Sequence, residues 1–539
     1  MQFDIYPAKA SFEPGTKIFL IAENNGNADR AVLRITRKQV FCFPVDLTSG
    51  KNRLLLKDFP AEPGGYGVEA EFYRGDVCLY HAYTAFDIVS SEKLIRYGFL
   101  SDFSESDSGE EDIVSMLKLH INAVQFYDWS YRHDDLVAPE THYTDMMGKK
   151  NDLCVIREKV EACHKYGMKA LAYGAVYAAS AQYQRDHPEQ SLYDSQGKPL
   201  CFIETFYIMN ISRENGWHEH ILKQYRTAME QAGFDGIHMD TYGEPKTALD
   251  WKGEIQYLEE QFTPLIDDAA EFLTKNNTSP VLIFNNVGGW PLARTVNAHQ
   301  SAVYIEVWPP NVTYRHIGSL IREASRGERP VIIAAYPAAF RTCESESALE
   351  SQLYLSFVIA MHGASQIFFG EQNAVITQGY YADYVTLTDK QLAAVRTYQD
   401  FFVQYGEFFY DRELADVSMT HQGWDNREYV FTPAGSADGE PQKIWYHIRQ
   451  SKDTKVIYFV NLSENDNLWA EGKRKPSHNI RISAQIEIHR KPKHIWFATP
   501  DEHHGARQKC EWSIPEGKSE IIAEVEVFRC GILVIEDVI

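Results

Sequence analysis

Eight short apolar runs between residues 95 and 370, mostly separated by helical sequence, constrain this chain more than any other feature. They are IRYGFL (95–100), NAVQFY (122–127), KALAYG (169–174), GIHMD (236–240), VLIFNN (281–286), VYIEVW (303–308), VIIAAY (331–336) and QIFFG (366–370). One such run alone reads equally as a buried helix segment. Eight in series, with helical stretches such as DIVSMLKLH and REKVEACHKYG between them, predict a (β/α)8 TIM barrel over 93–414. Residues 1–92 lack helical periodicity and carry KIFLIAE, AVLRITR and YGVEAEFYR between Pro, Gly and Asn turns. They predict an N-terminal immunoglobulin-like β-sandwich. KIWYHIRQ, KVIYFVNL, IRISAQIEIH and GILVIEDVI predict a C-terminal antiparallel β-sandwich over 415–539. The expected fold is therefore multidomain, α/β plus all-β. The longest connection, 175–232, is expected to pass over the barrel mouth.

The formal net charge of −22 repels nucleic acid and anionic membranes, and neither is expected as a partner. No stretch approaches the roughly 18 apolar residues of a membrane helix. The first residues, MQFDIYPAKASFEPG, have neither a basic nor an apolar leader region. This predicts a cytoplasmic protein, with secretion under a leader outside this chain as the alternative. Eight cysteines stand without CxxC spacing and read as free thiols, so no metal centre is expected.

Asp240 closes GFDGIHMD (233–240), and Glu306 lies near the end of SAVYIEVW (301–308). In a β/α barrel the carboxyl ends of the strands carry the chemistry. Two barrel units span about 62 residues, and these two acids are 66 residues apart, ending the fourth and sixth runs. Both then face one mouth, and two facing carboxyls are the equipment for cleaving a glycosidic bond. The competing reading of Asp240 is a cap for the next helix. Glu306 sits between Ile305 and Val307, where an unpaired acid is costly. Its competing reading is an ion pair. Asp235 precedes its strand and reads as a turn residue.

The second run continues into FYDWSYRHDD (126–135). Sugars offer C–H faces to aromatic rings and hydroxyls to carboxylates. Tyr127, Asp128, Trp129, Tyr131, Arg132 and His133 therefore suit a sugar subsite, against an ordinary loop with exposed aromatics. Further strand-end candidates are Asp102, Tyr177, His238, Asn285, Asn286, Trp308 and Glu371. His238 shares a strand face with Asp240 and is expected beneath it in the barrel. There is no GxSxG, Walker, GxGxxG or HExxH pattern. Cys163 and His164 diverge on a helix and make a poor metal pair.

GFDGIHMDTYG (233–243), QFYDWSYRHD (125–134), FYIMNISRENGWHEH (206–220) and VYIEVWP (303–309) resemble glycoside hydrolase family 66, the endo-dextranases and cycloisomaltooligosaccharide glucanotransferases. The resemblance covers the barrel and extends to the three-part layout. It implies retaining cleavage of α-1,6-glucan, dextran or isomalto-oligosaccharide, with Asp240 as nucleophile, Glu306 as general acid/base and no metal or cofactor. Cyclising members carry a long carbohydrate-binding insertion after the seventh strand. Tyr336 to Gln366 is too short for one, which favours the dextranase type. The alternatives are a glucanotransferase, another retaining barrel α-glycosidase, or a non-catalytic glucan-binding protein.

Overall fold

The computed structural model describes residues 2–90, 93–275, 278–423 and 425–536. The expected boundary at residues 92 and 93 falls partly on Glu92, outside the described residues. Before it, a four-stranded antiparallel sheet and a three-stranded one enclose a core that includes Ile5, Leu33, Phe72 and Phe86. Phe19–Asn24 and Arg30–Thr36 alternate buried and half-buried positions, as period-two side chains require when one face is covered.

The eight apolar runs form one parallel sheet with strands in sequence order. They are β1 (Tyr97–Leu100), β2 (Ala123–Phe126), β3 (Lys169–Ala175), β4 (Gly236–Asp240), β5 (Val281–Val287), β6 (Ala302–Glu306), β7 (Val331–Ala334) and β8 (Ser365–Gln366). The eighth is shorter than QIFFG implies. After Gln366 the chain leaves the ladder, then returns at Gly370 to bridge Phe99 in parallel, with Phe99 N–H donating to Phe369 O at 3.2 Å. A Cβ on Gly370 would lie 2.4 Å from Phe99 O, so this seam closes only with glycine. The result is a near-closed barrel. Its interior holds Tyr97, Phe99, Ala123, Leu171, Ile283, Ala302, Tyr304, Ile332 and Ala334, all buried.

Alternation along the strands then dictates what reaches the mouth. The residues that continue the inward rows past Ala123, Leu171, Ile283, Tyr304 and Ala334 are Tyr127, Tyr173, Asn285, Glu306 and Tyr336. On β4, Asp240 follows His238 on the same face. The connection after β3 builds a small sheet of Ala178–Ala179, Phe206–Ile208 and Cys201–Phe202 at that end. A hairpin, Thr247–Leu249 with Ile255–Tyr257, follows β4 and has no counterpart in the sequence expectations.

The helix Ser345–Met361 is buried around most of its circumference. It lies between the barrel and a six-stranded antiparallel sheet, where Tyr354 donates to Asn461 O at 2.8 Å. Ala415–Asp416 already pairs with Ile444–Gln450 of that sheet. A second, four-stranded sheet covers its other face, with Tyr446, Phe459, Ile482 and Leu533 in the shared core. Among the described residues no helix is long and apolar enough to cross a membrane.

Candidate active site

Asp240 and Glu306 stand on one rim, joined through a single side chain. Asn285 Nδ2 donates to Asp240 Oδ1 at 2.7 Å and to Glu306 Oε2 at 3.1 Å. Those two oxygens are therefore no farther apart than the two hydrogen bonds laid end to end. Tyr173 donates to Asp240 Oδ2 at 2.7 Å, and Tyr336 to Glu306 Oε1 at 2.6 Å. Each carboxylate is thus fixed from β5, and each again from its other side, Asp240 from β3 and Glu306 from Tyr336, two residues past the end of β7. Burial and the Glu306 charge push the Asp240 carboxyl up to about 7. Burial also raises Glu306, against the opposing pull of Tyr336, Asn285 and the Trp308 indole. The Glu306 charge thus favours the protonated form of Asp240.

The surroundings are aromatic. Tyr127 stacks on Tyr381 at 4.6 Å between centroids, and the Tyr381 and Tyr304 hydroxyls are 2.7 Å apart. Trp308, 40% exposed, lies edge-on to Tyr336 at the rim. Gly379 borders the same space, because a Cβ there would lie 3.4 Å from both Glu306 Oε1 and Trp308 Cζ2. Asn285 Oδ1 and the Tyr242 hydroxyl are buried with no partner among the described residues. Asp128 has a positive φ of 50°, a conformation Asp tolerates. Its carboxyl is pushed up to about 7 by burial and by Asp145. No donor among the described residues bonds its carboxylate, so its oxygens remain available to hydroxyls.

Other expected residues have other surroundings. Trp129 is fully buried, donates to Tyr173 O at 3.1 Å and packs on Phe234. It supports the loop from below. His133 is buried beside Phe206, which pushes its imidazole down to about 4. Arg132 covers the Tyr131 ring and donates to Thr144 O at 3.0 Å. His238 lies beneath Asp240, 3.2 Å from the Tyr97 hydroxyl and stacked toward Tyr173, and burial pushes it down to about 3. The Tyr177 hydroxyl accepts from Tyr242 N at 2.6 Å and donates to Glu244 O at 3.0 Å, which brackets the loop after Asp240. Glu371 accepts from Ser101 N and Oγ, tying β1 to the chain beyond β8, and burial pushes it up to about 8. Asp102 is held by Lys149 at 3.1 Å and Tyr384 at 2.8 Å. Asn286 faces outward and donates to Tyr304 O at 2.9 Å. Tyr173, Tyr336, Tyr242, Gly379 and Tyr381 were not singled out from sequence. The two that could have been are Tyr173 and Tyr336, which stand near the carboxyl ends of KALAYG and VIIAAY on the inward rows of their strands.

The chain is similar to two cycloisomaltooligosaccharide glucanotransferases of Niallia circulans, at 26% and 30% identity over 62% of this chain and 38% of each relative. It is 24% identical to a dextranase of Streptococcus salivarius over 37% of this chain and 26% of that one. The chain thus spans well under half the length of the curated relatives it matches. Its fold matches that of a Paenibacillus sp. cycloisomaltooligosaccharide glucanotransferase complexed with cycloisomaltoheptaose, with a TM-score of 0.87 at 18% identity, covering 99% of this chain and 100% of that one. A maltogenic α-amylase of Thermotoga neapolitana matches at a TM-score of 0.52 and 13% identity, over 83% of this chain and 100% of that one. The profile of glycosyl hydrolase family 66 matches residues 9–527, and the chain belongs to that family.

Proposed function

We propose that this chain is a retaining endo-glycoside hydrolase that cleaves α-1,6-glucosidic bonds of dextran or isomalto-oligosaccharides. The observation that carries the reading is the Asn285 bridge between Asp240 and Glu306. An inverting pair stands about 6.5–9.5 Å apart to admit water between, whereas a retaining pair stands at about 5–5.5 Å. One nitrogen bonding both carboxylates fits the shorter separation. Asp240 attacks the anomeric carbon as the bond to the leaving oxygen breaks, and Glu306 protonates that oxygen. Water then gives a proton to Glu306, attacks the glucosyl ester and frees Asp240. Burial raises Glu306, the direction a general acid requires. Asp128, the free Asn285 Oδ1 and the Tyr242 hydroxyl are assigned to glucosyl hydroxyls, and Trp308 to a C–H face. Asp102, Tyr177 and Glu371 take positioning roles around them. In this reading β-sandwiches of 1–92 and 415–539 flank a catalytic barrel of 93–414.

Transfer to a glucan hydroxyl in place of water is the second reading, since two of the curated relatives are glucanotransferases. Hydrolysis is favoured because residues 336–365 hold only the helices Ala339–Thr342 and Ser345–Met361. The test is reducing-sugar release from dextran by Asp240→Asn and Glu306→Gln. Loss of at least a thousandfold in each is expected. Near wild-type release by either contradicts the assignment.

A further inference from the structure

The aromatic lining continues past the barrel rim. Tyr242, two residues after Asp240, stacks on Phe202 at 4.3 Å with ring planes 16° apart. Phe202 is exposed, at the edge of the small sheet above β3. Ile203 and Glu204 follow it at φ 47° and 61°, a region that disfavours a β-branched residue. The segment of Tyr193 is joined to this small sheet, with Leu192 N–H donating to Ile208 O at 2.8 Å, and Tyr193 exchanges backbone hydrogen bonds with Leu249 at 2.8 and 2.9 Å, which fastens the hairpin of 247–257 to it. The hairpin turn carries Trp251, 57% exposed, with its ring 5.7 Å from Tyr193. Ile255 and Tyr257 are each more than half exposed.

This turn is ordered although it covers no core. The Asp250 carboxylate accepts from the backbone N–H groups of Lys252 and Glu254 at 2.9 Å each, and from Gln256 Nε2 at 3.1 Å. Asp250 N–H donates to Glu254 O at 2.9 Å. A flat ring held in place and left in water is pre-organised for a ligand, because its ordering cost is already met within the turn. The neighbouring charges alternate, with Glu244, Lys246, Asp250, Lys252 and Glu254, and favour an uncharged occupant. A pyranose ring has that chemistry, with C–H faces for aromatic rings and hydroxyls at its edge.

We infer that the wall from Tyr242 through Phe202 to Trp251 is an extended glucan platform, and that the substrate is a polymer rather than a short oligosaccharide. The inference rests on the proposed glucan activity, and binding separates the two. Retardation of the full chain in native gels containing high-molecular-weight dextran is measured beside cleavage of isomaltotriose. Trp251→Ala is expected to weaken dextran binding about threefold to tenfold, the range of one aromatic contact. Its isomaltotriose kcat/KM stays within twofold of wild type. Trp512→Ala, which removes an exposed indole from the C-terminal sheets, leaves both unchanged. Equal dextran binding by Trp251→Ala and wild type overturns the platform, as does equal loss on both substrates. A wild-type chain that cleaves isomaltotriose and is not retarded by dextran also overturns it, with the reaction intact. A wild-type chain that Trp251 helps bind to dextran, and that cleaves neither substrate, sinks the hydrolase reading and leaves the platform standing.

Discussion

At the scale of single residues, the pair Asp240 and Glu306 is controlled by its donors. The Tyr336 hydroxyl favours ionised Glu306, so Tyr336→Phe raises the Glu306 pKa further. As the proposed general acid, Glu306 must be protonated to work. The descending limb of kcat/KM against pH therefore moves up by about one unit, the worth of a charge-assisted hydrogen bond. The Glu306 charge in turn helps hold Asp240 at about 7. Glu306→Gln removes it, so the ascending limb of residual cleavage, read on an aryl α-glucoside that needs no acid, moves to lower pH. Limbs that stay fixed in both variants contradict the coupling. Asp240, Glu306 and Asn285 were legible because polar groups closing apolar strands stand out. Tyr173 and Tyr336 were not, because a tyrosine in such a run reads as core until the inward parity of its strand is known.

At the scale of elements, the eight runs fixed the barrel because period and spacing are local properties of sequence. The loops were less legible. FYDWSYRHDD has the composition of a sugar subsite, yet its indole points down onto Phe234 while the Asp128 carboxyl lies close enough to Asp240 to feel its charge. The backbone turn at Asp128 separates the two, and composition does not encode it. Trp129→Leu is expected to cost about 3 kcal/mol of stability, the loss typical of a depleted aromatic site, with KM for isomaltotriose within twofold of wild type. An unchanged denaturation curve with a tenfold rise in KM would place Trp129 against substrate instead. The hairpin of 247–257 escaped notice because its strands are only three residues each.

At the scale of the whole molecule, the units are joined by buried charges that no local pattern reveals. Arg96 reaches from the start of the barrel to Asp87 at 2.6 Å and to Ala10 O at 2.9 Å. Arg529, between two C-terminal strands, holds Glu350 of the helix Ser345–Met361 at 2.7 and 2.8 Å and also binds Asp501. Arg529→Met strands two buried acids and is expected to cost about 3–5 kcal/mol in denaturant titrations. Activity per folded molecule, far from this contact, stays unchanged. A loss under 1 kcal/mol would show that the contact does not hold barrel and C-terminal sheets together. On the proposed reading the fold presents one nucleophile, Asp240, on the barrel rim, and that is tested most directly by trapping. The intact chain is incubated with 5-fluoro-α-glucosyl fluoride, quenched, digested and read by mass spectrometry. The account predicts one fluoroglucosyl ester, on the peptide containing Asp240. A label on Glu306 or Asp128, or turnover of the reagent with no labelled peptide, would contradict it.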